Sequence, residues 1–179
     1  MKYLCVFCGS SKGGPAIYAE TARRFGEALT RRGWGLVYGG GHIGLMGILA
    51  DTVLQAGGSV IGVIPRSMVE RELAHERLTE LHVVESMHQR KALMAERAAA
   101  FAALPGGVGT ADEFFEIVTW RQLRLHSKPI GLLNVAGFFD PLLAWLDRTV
   151  TDGFVRAEHR RLLHVAEESE SLLDLLFQY

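Results

Sequence analysis

The feature that most constrains this chain is an alternation. Short runs that are apolar throughout give way to longer segments whose apolar residues recur at helical spacing. "KYLCVFC" precedes "AIYAETARRFGEALTRRG", and "WGLVY" precedes "LMGILADTVLQAGG". "SVIGVI" runs to Pro65, "LHVVE" reads as a short strand, and "SMHQRKALMAERAAA" as a helix with Ser86 as N-cap. "FAAL" leads into a helix expected from Thr110 to about Leu125. "KPIGLLN" leads into "FFDPLLAWLDRTVTDG", with Pro141 in the first turn, and "LLHVAE" into the terminal helix "SESLLDLLFQY". A strand with one wet face alternates apolar and polar residues, whereas a strand apolar on both faces needs cover on both. Such strands separated by helices specify a doubly wound α/β fold, a parallel sheet with helices on both faces. At 179 residues the chain is expected to form one domain, 1–179.

Charge narrows the choice of partner. Lys plus Arg number 19 against 20 Asp plus Glu, a net charge of −1. That balance provides no general attraction to nucleic acid or to a membrane surface, so any preference for phosphate must arise locally. No apolar run approaches a membrane span, and the first residues hold too few apolar side chains for a signal-peptide core. The expected location is the cytoplasm. Cys5 and Cys8 form a C-x-x-C, but both fall inside the expected strand, where a separation of three points them to opposite faces about 10 Å apart. They are expected to be buried free thiols.

The 20 glycines are clustered. "GSSKGG" follows the first strand, "GGGHIG" the second and "PGGVGT" the "FAAL" strand. In doubly wound folds these turns share the carboxyl edge of the sheet, where ligands bind. Gly39, Gly41 and Gly44 formally satisfy G-x-G-x-x-G, the dinucleotide fingerprint. The next strand ends in "VIPRS", without the acid that such a site uses for a ribose hydroxyl, although Arg66 leaves a 2′-phosphate partner open. The seven histidines show no metal-ligand spacing, and no metal or cofactor is expected.

"LPGGVGTADEFFE" admits two readings. Gly106, Gly107 and Gly109 let backbone N–H groups converge, and a helix starting at Thr110 would offer its free amides to a phosphate. Alternatively, Thr110 to Glu113 is a capping box, with Glu113 reaching back to the Thr110 N–H. Glu113, Glu116 and Trp120 share one helical face, and a cap leaves Glu116 without a role. In "VVESMHQRKALM", Met87, Arg90, Lys91 and Met94 lie on one side of a helix. A solvated basic face is the ordinary reading of such a pair of cations. "VERELAHERL", upstream, reads as a charge-dense surface loop.

These stretches together resemble the Lonely guy (LOG) family, phosphoribohydrolases of cytokinin riboside 5′-monophosphates. "PGGVGTADE" is similar to the family signature P-G-G-x-G-T-x-x-E, and "MHQRKALM" to its second signature. "YGGGHIGLMG" and "CVFCGSS" resemble its earlier loops. The resemblance runs in order along nearly the whole chain, with one departure, His42, where the family more often has a small residue. It implies a Rossmann-like homodimer with the active site near the subunit interface. The implied reaction is hydrolysis of the N-glycosidic bond of an adenosine-type 5′-monophosphate to free base and ribose 5-phosphate, without a cofactor. The catalytic pair corresponds to Arg90 and Glu113. Ligand contacts correspond to Glu72, Lys91, Gly107, Val108, Gly109, Thr110, Ala111, Asp112 and Thr119, with Gly106 in the same loop.

The chemistry agrees with that assignment. Breaking a ribosyl–base bond builds positive charge on the ribose, which a fixed carboxylate stabilises directly or by activating water. Arg90 either offsets phosphate charge or polarises the leaving base, and Asp112 is one candidate for the acid that protonates it. The principal alternative is a nucleotide-like ligand carrier resembling molybdenum-cofactor carrier proteins. An older label for such sequences, lysine decarboxylase, needs a lysine Schiff base; Lys2, Lys12, Lys91 and Lys128 are the only lysines, and none has that context.

Overall fold

The computed structural model describes residues 1–69 and 73–178. Its first half runs β1 (Tyr3–Phe7), α1 (Ala16–Arg31), β2 (Gly35–Tyr38), α2 (Gly44–Gln55), β3 (Val60–Pro65), α3 (Arg66–Val69), β4 (Glu80–Val84) and α4 (Met87–Arg97). The second half runs β5 (Ala100–Ala103), α5 (Val108–Gln122), β6 (Ile130–Leu133), α6 (Asp140–Thr151), α7 (Ala157–Arg160), β7 (Leu163–Ala166) and α8 (Ser169–Phe177). The strands form one sheet in the order β4-β3-β2-β1-β5-β6-β7, and every pairing is parallel. The chain winds outward from β1 to β4, then returns to place β5 against the other side of β1. That reversal opens a crevice beyond the carboxyl ends of β1 and β5, the usual ligand position in this architecture.

The expected parallel sheet is present, and the burial of its strands explains their composition. β2, β3, β5 and β6 are buried at every residue, whereas β4 and β7, each with a single neighbour, are partly exposed. Two apolar cores lie on opposite faces. One joins α1, α2 and α8 to Leu4, Val6 and Cys8; the other joins α4, α5 and α6 to Cys5 and Phe7. Strand alternation therefore places the two thiols on opposite faces, both free and buried. Ser86 caps α4 as expected, accepting from the Gln89 N–H. The short α3 and α7 and a 3-10 turn at Val135–Gly137 were not anticipated, because three or four residues carry no helical periodicity. Among the described residues no helix is long and apolar enough to cross a membrane.

Candidate active site

The glycine loops after β1, β2 and β5 meet at the sheet edge, but their roles differ. The Gly9 N–H donates to the Pro105 carbonyl at 3.1 Å, tying the first loop to the third. The Gly9 carbonyl in turn accepts from the Leu45 and Met46 N–H groups at 2.9 and 3.3 Å. These are first-turn amides of α2, so the start of that helix is already occupied by backbone. Gly44 adopts φ +64°, and a side chain there would overlap the Ser10 backbone. A side chain at Gly39 would overlap the Arg90 guanidinium. The G-x-G-x-x-G spacing thus serves close packing within the chain. Arg66, the candidate for a 2′-phosphate, pairs with Glu85 at 2.9 Å.

The start of α5 is open. The helix begins at Val108, with Gly107 as an extended N-cap and no side-chain cap; its first internal bond runs from the Ala111 N–H to the Gly107 carbonyl at 3.1 Å. The amides of Val108, Gly109 and Thr110 precede that bond and have no partner within the helix. The expected start at Thr110 is corrected by two residues, and the capping box does not form. Thr110 occupies the third helical position, too late to cap. Its side chain instead fills the space that a side chain at Gly106 would need. Gly107 and Gly109 are different, because a Cβ at either would meet nothing within 4 Å. Neither has an internal packing reason to be glycine, and both border the open amides.

Released from a capping role, Glu113 turns to α4. Its Oε1 lies 2.9 Å from Arg90 Nη1. Arg90 is held by three further acceptors: Nε donates to the Val63 carbonyl at 3.0 Å, Nη2 to the Gly39 carbonyl at 3.2 Å, and Nη1 contacts Met87 Sδ at 3.9 Å. The pair is buried, with side-chain exposures of 7% and 10%. The solvated basic face expected around Arg90 is therefore corrected. The guanidinium lies under the ends of β2 and β3, where two carbonyls and a carboxylate repay its desolvation. Burial pushes the Glu113 carboxyl above its ordinary pKa of 4.5, and Arg90 opposes that rise. Burial also raises the nearby Cys8 thiol, with Glu113 adding to the shift, so Cys8 stays protonated.

These groups line a cavity of about 300 Å³. Its wall includes Arg90, Glu113, Asp112, Gly107, Val108, Gly109 and Thr110, together with Cys8, Ser10, Met46, Met68 and Met87. Met46, Met68, Cys8 and Ser10 were not singled out as site residues; the loops holding Cys8, Ser10 and Met46 were marked, but only the sheet topology brings these side chains to the cavity. Gly106 lies on the wall of an adjoining pocket. Ala111, Lys91 and Thr119 are not on the cavity wall. Lys91 reaches it through Asp112, with Nζ 3.1 Å from Asp112 Oδ2 and 2.8 Å from Glu116 Oε2. Burial lowers the Lys91 pKa, but the two carboxylates outweigh it and hold the value above 10.5. Thr119 is exposed further along α5. Glu72 lies outside the described residues. Met87 meets the cavity, whereas Met94 is in the core and Trp120 borders a separate pocket. Among the described residues no cluster of His, Cys, Asp or Glu is placed to hold a metal ion.

The family model described as "Possible lysine decarboxylase" matches residues 46–176. The "Probable cytokinin riboside 5′-monophosphate phosphoribohydrolase LOGL5" of Oryza sativa subsp. japonica is 51% identical over 98% of this chain and 72% of its own length. The chain belongs to the Lonely guy family. The cytokinin riboside 5′-monophosphate phosphoribohydrolase LOG2 of Arabidopsis thaliana is 47% identical over 98% of this chain and 83% of its own. The Lonely guy fold extends to solved structures of other function. The molybdenum cofactor carrier protein of Chlamydomonas reinhardtii superposes with a TM-score of 0.74 at 21% identity, covering 99% of this chain and 96% of that one. At that identity the likeness concerns the fold.

Proposed function

We propose that this chain hydrolyses the N-glycosidic bond of adenosine-type 5′-monophosphates, releasing the free base and ribose 5-phosphate. The observation that carries the reading is the buried Arg90–Glu113 pair beside the open amide end of α5, in one cavity. The 5′-phosphate sits on the amides from Gly107 to Thr110, where aligned N–H groups favour an anion and the glycines let it approach. The ribose then lies over Glu113. Arg90 engages Oε1, and Oε2 is assigned to the anomeric carbon. As the C1′–N9 bond breaks, its electron pair leaves with the base and C1′ becomes electron-poor. Glu113 stabilises that charge, water adds to C1′, and the proton water gives up is balanced, through solvent, by the one the departing base takes up to leave as the neutral free base. Arg90 holds the carboxylate in place and keeps it ionised. The wall of Met46, Met68 and Met87 receives the base, and methionine side chains adapt readily to a hydrocarbon substituent on N6.

Lys91, Thr119, Ala111 and Glu72 complete the proposed ligand contacts. Lys91 acts through Asp112. Thr119, remote from the cavity in its own chain, fits a site completed at a subunit interface, which supports a homodimer; the cytoplasm is its proposed location. Exposed Leu123 and Leu125 at the end of α5 supply apolar area for such a contact.

The test is incubation of purified protein with AMP. Equal amounts of adenine and ribose 5-phosphate are expected. Recovery of intact AMP from a protein that binds it would favour the carrier reading.

A further inference from the structure

Glu116 lies one turn beyond Glu113 on α5 but faces a different group. Its Oε2 is closed off from solvent, and Lys91 Nζ stands 2.8 Å away. The same ammonium is 3.1 Å from Asp112 Oδ2. The two carboxylates of Lys91 are therefore unequal. The Glu116 side chain is 22% exposed and lies away from the cavity, whereas that of Asp112 is 59% exposed and forms part of the cavity wall.

We propose that Glu116 is a positioning residue for the hydrolysis. Its buried carboxylate anchors the Lys91 ammonium, and Lys91 in turn fixes the Asp112 carboxylate that faces the substrate. Lysine is a point charge on a long flexible stem, so one exposed partner does not define its position. A second carboxylate, buried against α4 and carried on the same rigid helix as Asp112, does. With Glu116 in place, Lys91 reaches the cavity wall at one point, Asp112 Oδ2. Without it the ammonium is free to swing to solvent, and Asp112 loses its orientation. The inference rests on the proposed reaction at this site.

The experiment is a double-mutant cycle of Glu116→Gln and Lys91→Met, read as steady-state kinetics on AMP. Gln keeps the shape of Glu116 and removes its charge. The expected result for E116Q is a KM raised roughly tenfold with kcat within about threefold of wild type, because Asp112 grips the ground state and transition state alike. The double variant should be no worse than K91M alone, since Glu116 acts only through Lys91. A merely structural tie between α4 and α5 would instead lower Tm, leave KM unchanged and add to the K91M loss, and that outcome overturns the proposal. If E116Q does not fold, Glu116→Asp, which keeps the charge and withdraws it by one methylene, takes its place in the cycle. Active wild-type protein with multiplying losses overturns the role of Glu116 and leaves the reaction standing. Wild-type protein that binds AMP but releases no adenine overturns the reaction, and the cycle is then read in AMP affinity.

Discussion

Two opposed influences dominate the Glu113 carboxylate. Burial favours its neutral form and Arg90 favours the ion, and the balance leaves its pKa raised. The proposed chemistry needs the ion, because a neutral carboxyl cannot oppose charge on the ribose. As pH falls through the raised pKa, Glu113 takes up a proton and activity is lost. The acid limb of kcat/KM is therefore expected above the ordinary glutamate value of 4.5, and a pH–rate profile on AMP measures it. A limb at or below 4.5 would remove Glu113 from the charge-stabilising role. Glu113→Gln keeps shape and removes charge. It should still bind AMP but lose roughly 100- to 1000-fold in kcat, the scale for deleting one preorganised electrostatic contact. Unchanged turnover would show that the carboxylate only anchors Arg90. Arg90→Ala should cost more than activity. It leaves a carboxylate buried without its partner, a loss of about 3–5 kcal/mol in comparable pairs, and thermal unfolding would register it.

At the scale of the element, α5 was legible in the sequence as a helix, but its first residue was not. Thr110 and Glu113 have the spacing of a capping box, and local pattern alone cannot distinguish that box from a helix that begins two residues earlier. The difference is decided by tertiary contacts: Thr110 packs against Gly106, and Glu113 finds a guanidinium carried by another helix. The burial of Arg90 was hidden from its own segment for the same reason, since its partners, the Val63 and Gly39 carbonyls, are 27 and 51 residues away. The glycines of the loop also separate only in three dimensions. Gly106→Ala should destabilise the fold, because its Cβ would collide with the Thr110 side chain and press on the Gly9 backbone. Gly107→Ala meets no protein atom within 4 Å, so Tm should hardly change. If the amides of this loop seat the phosphate, the added methyl obstructs it, and KM for AMP should rise by about tenfold or more. Equal KM values for G107A and wild type would place the phosphate elsewhere.

For the whole molecule, the parallel sheet was legible because β2, β3, β5 and β6 are apolar at nearly every position and are buried on both faces. The strand order was not, since nothing in a strand's own residues names its neighbours. That order matters for function. Placing β5 beside β1 brings the loop at Gly106 against the loop at Gly9, and Gly9 in turn closes the start of α2. One helix start is used up by this contact and the other is left open. The same geometry divides the ligand contacts that the family resemblance implies. Those at the start of α5, except Ala111, share one cavity, while Thr119 lies outside it on the exposed side of the helix, near Leu123 and Leu125. A single chain does not bring Thr119 to the cavity, whereas the proposed second copy, docked along this face, would offer it to a site. The protein is therefore expected to sediment as a dimer, and a Leu123→Glu/Leu125→Glu variant to sediment as a monomer with AMP hydrolysis reduced at least tenfold, because charged side chains at the centre of an apolar contact prevent closure. Its helical circular dichroism should match wild type, since both leucines are solvent-exposed in the isolated chain. A wild-type monomer that hydrolyses AMP at full rate would show that the cavity of one chain is sufficient, and the assignment of Thr119 would then fall.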